Sequence, residues 1–126
     1  MIESIDHVVL TTRDERKCVD FYTRVLGMTV ERYGAGRLAL RFGSQKINVH
    51  PPGLDAGLKA IDPKPGSLDL CFLAGVPLDR VIAHLDECGI AIVEGPTQRS
   101  GGCGPIRSVY VRDPDGNLVE ISEPVR

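Results

Sequence analysis

The order of elements is written twice along this chain. Residues 5–10 ("IDHVVL") read as a short apolar strand, and "TTRDERKCVDFYTRVLG" as a helix. The helix places Cys18, Phe21, Tyr22, Val25 and Leu26 at i, i+3, i+4, i+7 and i+8, one face of a 3.6-residue period. Thr12 and Glu15 fit a capping box, and Gly27 a C-terminal stop. Three strand candidates follow, "MTVERY", "RLALRF" and "KINVH", separated by the turn signals "GAG" and "GSQ". The second half repeats this order. "LDLCFL" is a strand, and "VPLDRVIAHLDECG" a helix from Pro77 to Gly89 with Leu78, Val81, Ile82, Leu85 and Cys88 as its stripe. "IAIVEG", "IRSVYVR" and "NLVEIS" are strands, the last two joined by the hairpin signal "DPDG".

The register of the repeat can be counted. Gly27 and Gly89 are 62 residues apart, as are His7 and Asp69, while "NVHPP" lies over "EISEP" at a shift of 72. The second copy therefore carries about ten extra residues, and "GPTQRSGGCGP" is the expected place for them. Each half is β-α-β-β-β, and neither can bury both faces of its sheet alone. The expectation is one domain over 1–126: module one 4–50, a Pro/Gly-rich linker 51–66, and module two 67–124. The fold class is α+β, with two paired βαβββ modules forming an eight-stranded, cup-shaped mixed sheet and the helices outside.

The repeat also sorts the polar residues that interrupt these apolar strands. His7 corresponds to Asp69, and Asn48 to Glu120. Strand alternation puts Ile5, His7 and Val9 on one face, Asn48 and His50 on one, Asp69 and Cys71 on one, and Leu118, Glu120 and Ser122 on one. If the halves pair about a pseudo-twofold axis, these faces converge on a concave surface. Imidazole and carboxylate donors gathered there suit a divalent metal such as zinc, nickel, manganese or iron(II). Ser108 and Tyr110 alternate on one face of "IRSVYV", beside the strand that carries Glu120.

Composition excludes several other functions. A formal net charge of −2 without a basic tract gives no support for nucleic-acid binding. No apolar run is long enough to span a bilayer, and no signal-peptide pattern opens the chain, so a cytoplasmic protein without membrane contact is expected. The four cysteines lack CxxC spacing and are expected to be reduced; Cys18, Cys71 and Cys88 read as core and Cys103 as exposed. GxGxxG, Walker, GxSxG and HExxH motifs are all absent. Arg99 and Arg107 are candidates to meet an anionic substrate, and His84 is given no function.

The segments "IDHVVLTTRD", "FYTRVLGMTVE", "FGSQKINVH" and "VRDPDGNLVEIS" resemble the vicinal oxygen chelate superfamily, which includes glyoxalase I, bleomycin- and fosfomycin-resistance proteins and extradiol dioxygenases. "LRFGSQKINVH", "PGSLDLCFL" and "GPIRSVYVRDPDGNLVEIS" are similar to the glyoxalase domain-containing protein 5 group. The resemblance implies His7 and Glu120 as metal ligands. It places Asp69 where many relatives have His, and Asn48 where glyoxalase I has Glu. His50 becomes a further ligand or the base, and Ser108, Tyr110 and Asn48 become substrate contacts. Glu120, Asp69 and His50 are the catalytic candidates.

The expected activity is that of a metal-dependent lyase or isomerase acting on a small oxygen-chelating substrate by Lewis-acid catalysis. The alternatives are a binding or resistance protein without turnover, an iron(II) dioxygenase-like member or a thiol transferase. A homodimer is expected, with two chains able to complete each other's sites as in some relatives.

Overall fold

The structure, a computed structural model, describes all 126 residues, which divide into two compact units, Met1–Ser67 and Leu68–Arg126. In the first unit, β1 (His7–Thr11) leads into α1 (Glu15–Asp20) and a π-helical turn (Phe21–Val25). β2 (Thr29–Tyr33), β3 (Arg37–Phe42) and β4 (Gln45–His50) follow. The sheet order is β1-β4-β3-β2, with β1 parallel to β4 and the other pairs antiparallel. Alternation gives the sheet one buried face, carrying Leu10, Leu38, Leu40, Ile47 and Val49. Cys18, Phe21, Tyr22 and Val25 are buried on the helical segment, as their spacing predicts.

The helix start differs from the capping-box reading. Asp14 is the cap, its Oδ1 accepting from the Lys17 amide at 3.1 Å, while Thr12 Oγ1 accepts from the Asp14 amide at 3.2 Å. Thr12 therefore supports the cap from two residues upstream, and an aspartate satisfies the free amide. At the other end Gly27 adopts φ 77°, and its amide donates to Thr23 O at 2.9 Å.

The second unit repeats the plan with β5 (Asp69–Leu73), α2 (Leu78–Glu87), β6 (Glu94–Gly101), β7 (Gly104–Arg112) and β8 (Leu118–Pro124), in sheet order β5-β8-β7-β6. α2 lies against β7 and β8, whose Val109, Val111, Val119 and Ile121 are buried together with Leu78 and Leu85 of the helix. Pro77 caps α2, and the Leu78 amide donates to Glu123 Oε2 at 2.8 Å. The "DPDG" turn is closed by Asp113. Its Oδ1 accepts from the Asp115 and Asn117 amides, both at 2.9 Å, and its Oδ2 from Asn117 Nδ2 at 2.7 Å. Asn117 Oδ1 in turn accepts from the Leu68 amide at 2.9 Å, tying the hairpin to the start of β5.

The α+β class and the βαβββ repeat hold, with the eight strands hydrogen-bonded as two four-stranded mixed sheets. One strand sits later than its sequence suggests: "IAIVEG" contributes only its last two residues, and β6 runs through the segment expected to be an inserted loop. β6 is an edge strand, where proline is tolerated, and Pro96 falls at the irregularity between Glu94 and Thr97. Gly95 passes so close to β7 that a Cβ would lie 2.4 Å from Ser108 O. The extra residues of the second copy thus lengthen the β6–β7 hairpin. No helix is long and apolar enough to cross a membrane.

Candidate functional site

The face of the second sheet opposite α2 carries a row of chemically capable side chains. Cys71 of β5, Glu120 of β8, Tyr110 of β7 and Glu94 of β6 are successive partners across the sheet. Ser122, Ser108 and Thr97 form the adjoining row. Alternation dictates this arrangement, because Val119, Ile121, Val109 and Val111 are committed to the buried face.

Hydrogen bonds knit the two rows together. Ser108 Oγ donates to Glu120 Oε2 at 2.6 Å and lies 2.7 Å from Ser122 Oγ. Cys71 Sγ lies 3.2 Å from Ser122 Oγ. Ser122 Oγ also donates to Glu120 Oε2 at 3.4 Å, so the two serine hydroxyls converge on one carboxylate oxygen. On the other side, Arg99 Nε donates to the Tyr110 hydroxyl at 3.1 Å. Arg99 also donates to Thr97 Oγ1 at 3.1 Å and to Glu94 Oε2 at 2.5 Å. Burial, and next the Glu120 carboxylate that accepts its hydroxyl proton, hold the Tyr110 phenol above its ordinary pKa against the opposing pull of Arg99. Burial likewise pushes the Cys71 thiol up, with Glu120 and Asp69 adding to it and the Ser122 hydrogen bond working against it. Both groups are proton donors at neutral pH.

The first sheet has a matching open face. His7, Val9 and Thr11 of β1 lie beside Lys46, Asn48 and His50 of β4. His7 Nδ1 is 2.8 Å from Asp6 Oδ2, and the hydrogen bond from His7 holds the Asp6 carboxyl below its usual range. With Nδ1 as the donor, the Nε2 lone pair is left available on the open face. Asn48 Oδ1 is buried without a hydrogen-bond partner. The His50 imidazole is held below its ordinary pKa, first by burial and then by the charges of Arg37 and Lys59.

These positions can be set against the expected ligands His7, Asp69, Glu120 and His50. His7, Asp69, Asn48 and Glu120 all occupy open faces at equivalent places in the two copies. His50 does not join His7: it pairs with Thr11, four residues along β1, which puts it about 13 Å from His7. Cys71, not Asp69, is directly opposite Glu120, and Asp69 pairs with Leu118. Within neither unit do three or more His, Cys, Asp and Glu side chains gather to hold an ion. The donor types at His7, Asp69 and Glu120 nevertheless suit a divalent cation, since His7 presents a lone pair oriented by a carboxylate and the other two are carboxylates.

Several members of this network escape a reading of the sequence alone. Cys71 resembles a core residue but is exposed on the open face. Ser122 looks like the polar half of an alternation but is fully buried beside Ser108. Alternation from Glu120 places both residues on this face, and their hydrogen bonds give them a role. Arg107, by contrast, lies on the α2 side, where it pairs with Asp79 at 3.3 Å and Glu123 at 3.4 Å.

Comparison with known proteins places this geometry in a family. The family model described as Glyoxalase/Bleomycin resistance protein/Dioxygenase superfamily matches residues 4–121. The chain is 54% identical over 121 residues to the glyoxalase domain-containing protein RDO1 of Mycosarcoma maydis, covering 96% of this chain and 68% of that protein. It is 47% identical to the virulence protein STM3117 of Salmonella typhimurium over 98% of this chain and 85% of that protein. The crystal structure of STM3117 superposes with a TM-score of 0.97, covering 99% of each chain. An integron cassette protein from the mobile metagenome of V. cholerae is 46% identical, with a TM-score of 0.95 over 98% of this chain and 96% of that one.

Proposed function

Because the chain belongs to the glyoxalase/bleomycin resistance protein/dioxygenase superfamily, we propose that it is a divalent-metal-dependent, glyoxalase-like lyase or isomerase acting on a small oxygen-chelating substrate. The narrower likeness to the glyoxalase domain-containing protein 5 group is part of this proposal, as is a homodimer. His7, Asp69 and Glu120 are the proposed ligands, and His50 leaves the set. When bound, the ion supplies Lewis-acid stabilisation of negative charge on a substrate oxygen.

The observation that carries the reading is the orientation of His7. Asp6 Oδ2 accepts a hydrogen bond from Nδ1–H at 2.8 Å, which leaves Nε2 on the open face to bind an ion. The remaining residues bind and orient. Ser108 holds one oxygen of Glu120, fixing the plane of the carboxylate. The Tyr110 phenol accepts from the Arg99 guanidinium and gives its own proton to Glu120, so it helps to orient that carboxylate. Glu120 and Asp69 are the carboxylates available for proton abstraction beside a carbonyl.

A second reading, a small-molecule binder without turnover, draws on the lack of a three-donor cluster in either unit and on Glu120 already accepting from Ser108. Metal analysis of the purified protein separates the two. Stoichiometric metal in the wild type, lost in His7→Ala, supports the enzyme reading. Metal-free protein that takes up none on dialysis against zinc, nickel or manganese favours the binder. Light scattering tests the dimer, which a monomer at micromolar concentration would contradict.

A further inference from the structure

The open face of the first sheet carries the cations Arg37, Arg41 and Lys46, with Glu31 paired to Arg41 and the Asp6 carboxylate within electrostatic reach of Lys46 and Arg41. Asn48 stands at its centre, flanked on β4 by Lys46 and His50. Ala39 is its partner on β3, with Arg41 beside Lys46 and Arg37 two residues from Ala39 along the strand. Of the cations, Arg41 is paired with Glu31. Arg37, Lys46 and Lys59 form no ion pair with any acidic side chain. Lys46 Nζ lies 4.3 Å from the centroid of the Tyr33 ring, so its ammonium is held over this face and not turned away from it. The charges of Arg37 and Lys59 both reach His50.

At the centre of this positive field is a polar atom that the chain leaves unsatisfied. Asn48 Oδ1 is buried and accepts no hydrogen bond, a costly state for an amide oxygen. An occupant that brings an O–H or N–H donor would satisfy it, and an occupant with negative charge would satisfy Arg37 and Lys46. A protonated oxyanion does both.

We propose that the open face of the first sheet is an oxyanion site in which Arg37 and Lys46 flank Asn48. The substrate is then a small molecule with a carboxylate or phosphate-type group and an adjacent hydroxyl. This deepens the functional reading above by naming a substrate class, and it rests on taking the open faces as the ligand-binding surface.

The test uses inorganic phosphate as the probe in a two-dimensional amide NMR titration of the full chain at constant ionic strength, with chloride as the control. Saturable shifts at the Asn48 side-chain amide and along 45–50 are expected. Arg37→Gln combined with Lys46→Gln weakens binding about tenfold or more, and Asn48→Asp does so alone. Unchanged dispersion of the remaining amide signals shows that the variants are folded. Shifts that do not saturate, that chloride reproduces, that map instead to Arg99, or that persist with equal affinity in the variants would overturn the site. A protein that binds phosphate here yet takes up no metal keeps this inference and loses the metal-dependent reading. One that binds metal through His7 but no phosphate does the reverse.

Discussion

Ser108 and Glu120, on the adjacent antiparallel strands β7 and β8, are joined by a hydroxyl-to-carboxylate hydrogen bond of 2.6 Å. Ser122 Oγ, 2.7 Å from Ser108 Oγ and 3.2 Å from Cys71 Sγ, donates to the same carboxylate oxygen at 3.4 Å. One oxygen of Glu120 is thereby fixed by the chain. Ser108→Ala removes the shorter of the two hydroxyl bonds to that oxygen and one contact of the buried Ser122 hydroxyl. It is expected to lower stability by about 1–3 kcal/mol in urea unfolding and to weaken ligand or metal binding with it. Ser108→Thr, which keeps the hydroxyl, is expected to restore the binding even where packing makes it less stable.

The turn between β7 and β8 depends on one carboxylate. Asp113 is buried and accepts from two backbone amides and the Asn117 side chain. Asp113→Ala is expected to cost about 2 kcal/mol or more by urea or thermal unfolding. Amide exchange should quicken at 113–118 and at Leu68, whose amide is bonded to Asn117 Oδ1.

Cys71 should be a slow nucleophile despite its exposure. Its thiol is pushed above the ordinary value, so less thiolate is present at pH 8 than for a free thiol. Alkylation by iodoacetamide, followed site by site by mass spectrometry, should be slower at Cys71 than for glutathione under the same conditions. Glu120→Gln removes a negative charge that contributes to the rise and should speed the reaction.

His50 sets a pH dependence of stability. Its imidazole is held below the ordinary value of 6.5, so in acid the unfolded chain binds the proton more readily than the folded one. Stability therefore falls as pH drops through that ordinary value and levels off below the folded value. Arg37→Gln removes one of the causes and should raise the His50 midpoint in an NMR titration. His50→Gln should flatten the acid limb of the stability curve.

The repeat was legible because it is written in periodicities that packing enforces. Cys18, Phe21, Tyr22 and Val25 on one stripe, and Val109, Val111, Val119 and Ile121 on alternating positions, leave only one side of each sheet for the polar residues. His7, Asp69, Asn48 and Glu120 therefore reach the open faces by elimination. Distance along the strands was less legible. Whether His50 lies beside His7 depends on the β1–β4 register, and no local signal in either strand states that register. β6 was misplaced for a related reason: Gly95 and Pro96 read as loop, while an edge strand with an irregularity accommodates both. The role of Cys71 was hidden because a cysteine on an apolar strand resembles core until its neighbours Ser122 and Glu120 are known.

The central claim is that His7 and Glu120 are ligands to a divalent ion, and cobalt(II) reads it most directly. Titration of the apo protein with cobalt(II), monitored by visible absorption, is expected to give a ligand-field spectrum that saturates at one ion per chain. His7→Ala and Glu120→Gln should each abolish or strongly weaken it. The claim is contradicted if the wild type gives no such spectrum, or if His7→Ala binds cobalt with the affinity and spectrum of the wild type.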